Sequence, residues 1–246
     1  MRLTVIGCSG SLPGPASAAS SYLVEADGAR VVLDLGNGAL GPLQRYTDLD
    51  AVDAVLLSHL HPDHCMDLCG YYVAVRYGPQ RCRVPVWGPD GTAGRMAAAY
   101  GLPPDPGMTT EFDFHAYPAG PFEVGPFTVR VVRVAHPVPA YAIRLEHDGR
   151  TLVYSGDTGP TPALVDLARG ADLLLCEAGF AESDDNPPDL HLTGSEAGEH
   201  ARAADVGRLV VTHVPPWGDP AHAAEAASES FGAQAEPAAS DAVWEI

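Results

Sequence analysis

The segment Leu57-Ser58-His59-Leu60-His61-Pro62-Asp63-His64 places three histidines and an aspartate within six residues, directly behind an apolar run. Such a run restricts the local fold tightly. In extended backbone, residues two apart point to the same side, so His59 and His61 can grip one ion together. Pro62 then turns the chain, and Asp63 and His64 arrive at the start of a helix, from where they can face a second ion. A strand, a turn and a helix are therefore required in that order, and further ligands must come from elsewhere in the chain.

Three other segments offer them. Arg133-Val134-Ala135-His136-Pro137 brings a histidine after a long β run, and Val153-Tyr154-Ser155-Gly156-Asp157-Thr158-Gly159 ends a strand in an aspartate and a glycine turn. Leu209-Val210-Val211-Thr212-His213-Val214-Pro215-Pro216-Trp217 repeats the arrangement with histidine. Each strand delivers one N or O ligand to its tip, where loops meet and substrates bind. Together they complete two metal positions: His59, His61 and His136 for one ion, Asp63, His64 and His213 for the other, with Asp157 bridging both. Nitrogen-rich ligation with a few carboxylates suits Zn²⁺ best and also accommodates Mn²⁺ or Fe²⁺.

The rest of the chain supplies a scaffold. Its 246 residues are 46% hydrophobic, enough for a substantial core, and no composition shift divides them, so one domain over 1–246 is expected. Short β-branched runs predict strands at Leu3–Ile6, Tyr22–Val24, Val31–Leu35, Ala54–Ser58, Val84–Trp87, Phe127–Ala135, Ala140–Glu146, Thr151–Ser155, Asp172–Cys176 and Leu209–His213. Apolar positions three and four apart predict helices over 64–77, 91–100, 161–169, 194–205 and 220–231. Start signals are Pro162, Ser195 before Glu196, and Asp219-Pro220. Asp148-Gly149 reads as a hairpin tip. The mixture suggests two packed sheets with helices outside rather than one doubly wound sheet. Residues 101–108 and 182–190 read as surface loops, the second of which delivers His191.

The order His-x-His-x-Asp-His, then His, Asp and His on successive strand ends, resembles the metallo-β-lactamase fold superfamily along essentially the whole chain. That likeness implies an α/β four-layer αββα sandwich. Val5-Ile6-Gly7-Cys8-Ser9-Gly10-Ser11, Cys176-Glu177-Ala178-Gly179-Phe180 and His191-Leu192-Thr193-Gly194-Ser195-Glu196-Ala197 point to the phosphodiesterase branch that contains ribonuclease Z and compact bacterial cyclic-nucleotide phosphodiesterases. In that branch a glutamate and a histidine from the last two segments pair beside the metals; here they are Glu177 and His191. The implied reaction is phosphodiester hydrolysis. Two divalent ions bring a bridging water toward ionisation at neutral pH and clamp the phosphoryl oxygens. His191 protonates the leaving 3′-oxygen, Glu177 sets its tautomer, and Asp63 orients or deprotonates the water. The branch also implies a homodimer.

Charge decides among substrates. Fourteen basic residues, all of them arginine, stand against 32 acidic ones, a net charge of −18. The absence of lysine excludes a Lys-ending phosphate loop and Schiff-base chemistry, and the balance opposes a long nucleic-acid footprint. Ribonuclease Z has a basic Pro-rich loop after its first strand; Leu12–Ser20 here carries no basic residue. It also has a basic arm between the third histidine and the bridging aspartate, where this chain has room only for a hairpin. A small anionic phosphodiester fits better. The Ser-Gly-Asp-Thr-Gly, Pro-Pro-Asp-Leu-His-Leu and Thr-His-x-Pro-Pro-Trp runs resemble the cyclic-nucleotide enzymes, which implies cAMP opened to the 5′-monophosphate. The alternatives are tRNA 3′-processing and thioester or lactone hydrolysis. Tyr71, Tyr72 and Trp217 are candidates for an apolar wall around the substrate, and Arg76, Arg81 and Arg83 form the one local basic cluster. The N-terminal apolar stretch is too short for a signal peptide and no window reaches the length of a membrane span. Five cysteines without close C-x-x-C spacing read as reduced thiols of a cytoplasmic protein that does not engage membranes.

Overall fold

A computed structural model describes residues 1–78, 83–183 and 185–246. One sheet is made of β1 (Arg2–Ser9), β2 (Ala18–Ala19), β3 (Ser21–Ala26), β4 (Ala29–Leu33), β5 (Ala54–Leu56), β6 (Val84–Gly88), β7 (Phe112–Ala116) and, from the end of the chain, β15 (Val243–Glu245). The other holds β8 (Phe122–Val124), β9 (Phe127–Arg133), β10 (Tyr141–His147), β11 (Arg150–Tyr154), β12 (Leu173–Glu177), β13 (Leu209–Thr212) and β14 (Ala235–Pro237). The first runs in the order β15-β1-β3-β4-β5-β6-β7 with β2 beside β1, and the second in the order β14-β13-β12-β11-β10-β9-β8. In each sheet an antiparallel meander passes into a parallel half: β4 through β7 in one, β11 through β14 in the other.

Parallel neighbours need crossovers, and helices provide most of them. They are α1 (Leu40–Leu43), α2 (Pro62–Cys65), α3 (Leu68–Tyr77), α4 (Thr92–Tyr100), α5 (Pro162–Ala168), α6 (Gly194–Ala203) and α7 (Pro220–Phe231). The period-2 alternation of the strands gives each sheet two buried faces. Leu3, Val5, Val31 and Leu33 meet Phe127, Val129, Leu145 and Leu173 between the sheets. Ile6, Leu23, Val32 and Leu57 turn the other way onto Leu68, Tyr71, Val75 and Met96 of α3 and α4. Val153, Leu174, Cys176 and Val211 meet Leu164, Leu167, Ala197, Ala201 and Ala227 of α5, α6 and α7. The result is the αββα sandwich the sequence implied.

All ten predicted strands form, with ends displaced by at most three residues. The helix expected over 64–77 is broken at Met66-Asp67, where Asp67 instead accepts from the Leu40 N–H at 2.8 Å and caps α1. α6 starts at Gly194 as expected, but not through Ser195. Its cap is Thr193, two residues before Ser195; the Thr193 hydroxyl accepts from Glu196 N while the Glu196 carboxylate accepts from Thr193 N. The hairpin tip holds as read, with positive φ at both Asp148 and Gly149. Cys8, Cys65, Cys69 and Cys176 are free thiols; Cys82 lies outside the described residues. No helix among the described residues is long and apolar enough to cross a membrane.

Candidate metal centre

The parallel strands end at one edge of the sandwich. β5 leads through Leu57 and Ser58 into His59 and His61, and α2 then presents Asp63 and His64. From the other sheet β9 leads to His136, β11 to Asp157, and β13 to His213, while Glu177 is the last residue of β12. The seven predicted ligands converge as two clusters, His59, His61, His136 and Asp157, and Asp63, His64, Asp157 and His213. Asp157 belongs to both.

Distances test whether a cation fits. Nδ1 of His61 lies 3.1 Å from His59 Nε2 and 3.2 Å from His136 Nε2, and His59 Nε2 lies 3.6 Å from Asp157 Oδ2. In the second cluster His64 Nε2 and His213 Nε2 are 3.1 Å apart. Asp63 Oδ2 is 3.4 Å and 3.2 Å from those nitrogens, and Asp157 Oδ1 is 3.2 Å and 3.4 Å from them. A tetrahedral ion with bonds of about 2.0–2.1 Å has ligand–ligand edges of about 3.3–3.4 Å. Both clusters carry that spacing. Asp157 Oδ1, moreover, is a buried oxygen with no hydrogen-bond partner, and so is the ring nitrogen His213 Nδ1.

Protonation follows the same logic. Burial, reinforced by neighbouring histidines, holds His59 well below the usual imidazole range, and burial also lowers His61 and His136. Their lone pairs are therefore available. Burial raises Asp63, but hydrogen bonds from His213 and His64 outweigh it and keep the carboxylate ionised. Asp157 is likewise held down, against its burial, by His213, His64 and His59. His64 is the exception: despite burial, Asp157 and Asp34 raise it well above its ordinary value, so it holds a proton that a cation would displace.

A second layer orients the rings. Asp34, just past β4, accepts from Ser58 N at 2.6 Å through Oδ1. Its Oδ2 accepts from Ser58 Oγ, His64 Nδ1 and Tyr154 OH, each at 2.7 Å. Ser58 Oγ stands 3.1 Å from His59 Nδ1, and His136 Nδ1 donates to the Leu190 carbonyl at 2.9 Å. Each bond fixes the tautomer that turns the opposite nitrogen toward the cluster. Sequence reading missed Asp34, Ser58 and Tyr154. The available signal was one carboxylate, Asp34, embedded in the apolar run Val31–Leu35, which a buried strand tolerates only when every oxygen is paired. Asp34 has φ 54° and His213 φ 59°, left-handed backbone at two non-glycine residues of the centre. Gly10 allows the second of these: a Cβ there would lie 2.1 Å from the His213 carbonyl oxygen.

The Glu177–His191 pair forms as expected. His191 Nδ1 donates to Glu177 Oε1 at 3.0 Å and lies 4.0 Å from Asp157 Oδ2. Glu177 is fully buried and is fixed by the N–H groups of Thr158 at 2.8 Å and Gly179 at 2.7 Å. Burial lowers the His191 pKa, but Glu177 and Asp157 prevail and raise it to about 9. Gly179 is required here, because a Cβ would come within 2.8 Å of the His191 ring.

The remaining candidates divide. Tyr71 and Tyr72 are buried core residues of α3, and the Tyr72 ring packs edge-on against Tyr100 at 5.0 Å. Trp217 is 73% exposed. Arg76 is paired with Glu111 at 2.7 Å and Arg83 with Asp113 at 2.9 Å; Arg81 lies outside the described residues. Between His136 and Asp157 stands the β10–β11 hairpin and no arm.

Comparison with known proteins agrees with this geometry. The chain is 48% identical to an uncharacterized protein of Mycobacterium leprae over 88% of this chain and 78% of that one. The crystal structure of the metallo-beta-lactamase fold protein YhfI from Bacillus subtilis, a protein named as a probable metallo-hydrolase, superposes with a TM-score of 0.90 at 31% identity, covering 99% of each chain. A protein of Mycobacterium bovis named ribonuclease Z is 31% identical over 88% of this chain and 86% of its own. The model of the beta-lactamase superfamily domain matches residues 29–214, and the chain is a member of that superfamily.

Proposed function

We propose that this chain is a dimetal phosphodiesterase that opens 3′,5′-cyclic nucleotides, cAMP foremost, to 5′-monophosphates. The coarser assignment, a metal-dependent hydrolase, rests on the family and on two His/Asp clusters able to hold cations. His59, His61, His136 and Asp157 would hold one ion and Asp63, His64, His213 and Asp157 the other. The two ions, zinc by the chemistry of the donor set, supply Lewis-acid polarisation of a phosphoryl group and water activation at neutral pH when bound.

The observation that carries the phosphodiester reading is the His191–Glu177 pair, 4.0 Å from Asp157. A departing alkoxide needs a proton. His191 keeps Nδ1 on Glu177 and carries a proton on Nε2, and a pKa raised to about 9 keeps the ring cationic at neutral pH. The same cation faces the negative phosphoryl group. Asp63, held ionised, can accept a hydrogen bond from the attacking water and orient it. The short β10–β11 connection and the net charge of −18 favour a compact substrate over a folded RNA.

Likeness to the protein named ribonuclease Z favours tRNA 3′-processing as the second reading. Purified protein loaded with zinc or manganese is expected to hydrolyse cAMP or an aryl phosphodiester much faster than it trims precursor tRNA. Efficient tRNA cleavage without cyclic-nucleotide turnover overturns the choice of substrate.

A further inference from the structure

Beside Phe180 lies a cavity of about 120 Å³. It is lined by Gly179 and Phe180, two and three residues past Glu177, and by Val214 and Pro215, which follow His213 directly. It therefore adjoins the candidate centre through both of the loops that carry His191's carboxylate partner and the last ligand. Phe180 touches the His191 ring edge-on with centroids 5.1 Å apart. Trp217 forms its outer edge and is the most exposed large apolar side chain among the described residues, at 73%.

From this arrangement we infer that the cavity is the nucleobase subsite, with Trp217 as the stacking platform and Phe180 as the wall that separates the base from His191. The inference rests on the proposed phosphodiesterase activity and deepens it. The lining is mostly apolar, and its ionisable side chains are two carboxylates, Glu182 and Asp219, and one imidazole, His222, with no arginine, which disfavours the phosphate. A planar uncharged group suits it. An indole standing in water beside an apolar hollow gains by being covered, and every base has a π face that such a platform accepts. No arginine lines the cavity among the described residues, so burial of the base supplies the affinity a compact diester needs.

The test compares substrates with and without a base in zinc-loaded enzyme. For Trp217→Ala, KM for cAMP should rise about tenfold or more, the scale of one lost base stack, with kcat changed by less than about threefold. The loss in kcat/KM should be at least fivefold larger for cAMP than for methyl riboside 3′,5′-cyclic phosphate, which lacks a base. Trp217→Phe should recover most of the loss. An equal loss on both substrates, or no loss on cAMP, overturns the inference while leaving the hydrolase reading intact. A second measurement is independent of turnover: 5′-AMP should quench the tryptophan fluorescence saturably in the native chain and not in Trp217→Ala. Absence of that quenching overturns the subsite even if no diester is hydrolysed.

Discussion

The two halves of the metal centre are built differently. The half formed by Asp63, His64 and His213 is buried throughout and is tied to a second carboxylate, Asp34, that is itself saturated by Ser58 and Tyr154. The half formed by His59, His61 and His136 leaves His61 half-buried, and its outer support is a hydroxyl and one main-chain carbonyl. A carboxylate behind an imidazole raises the basicity of the ligand and stiffens it, whereas a carbonyl mainly orients it. The deep half is thus the more rigidly supported, and the shallow half is the more exposed to solvent.

Asp157 is common to both halves, so its loss should erase the difference. Asp157→Ala is expected to lower the hydrolytic rate by about a thousandfold or more, the several kcal/mol attributed to metal polarisation, and to reduce bound metal toward zero in elemental analysis. His191→Ala should lower the rate by about 10²-fold or more with metal content unchanged, since His191 contacts the centre without being a ligand in either half. Its pH profile sharpens the point. The acid must be protonated, so activity should fall as pH rises through about 9. Glu177→Gln removes the group that raises His191, and the alkaline limb of the rate profile should move to lower pH. Asp34→Asn should weaken metal binding by about 10- to 100-fold at the deep half alone, measured by competition with a chelator, with titration showing one tight and one weak site. The smallest effect is expected for Ser58→Ala, a few-fold loss felt in both halves, since its hydroxyl stands against His59 and also donates to Asp34; a loss as large as that of Asp34→Asn would mean that the hydroxyl, not the carboxylate, holds His64.

The parts of this molecule legible in sequence were those in which local spacing fixes geometry. His59 and His61 had to share a face because they sit two apart in extended chain, and Asp63 and His64 had to follow the turn at Pro62. His136, Asp157 and His213 were readable because each ends an apolar strand. Asp34 was not, because what makes it functional is the arrival of Ser58, His64 and Tyr154 from distant positions, which one aspartate in Val31–Leu35 does not announce. β7 was overlooked for a related reason. In Phe112-Asp113-Phe114-His115 the alternate positions carry Asp113 and His115, and their suitability for a strand depends on neighbours such as Trp87, which stacks on His115 at 4.4 Å, and Arg83, which pairs with Asp113. β14 and β15 are three-residue edge strands whose pairing comes wholly from the sheets they join. The split between α2 and α3 depended on Asp67 finding Leu40, again a non-local event.

The left-handed backbone at Asp34 and His213 has a bearing on how such a protein can change over generations. Non-glycine residues in that region cost of order 1–3 kcal/mol each when bulky, and less for aspartate. At Asp34 glycine would relax the turn but strand the buried donors of Ser58, His64 and Tyr154, so the fold itself retains the carboxylate. At His213, whose Nδ1 has no partner, glycine would relieve strain at no such loss, so durability and ligation pull in opposite directions at that one position.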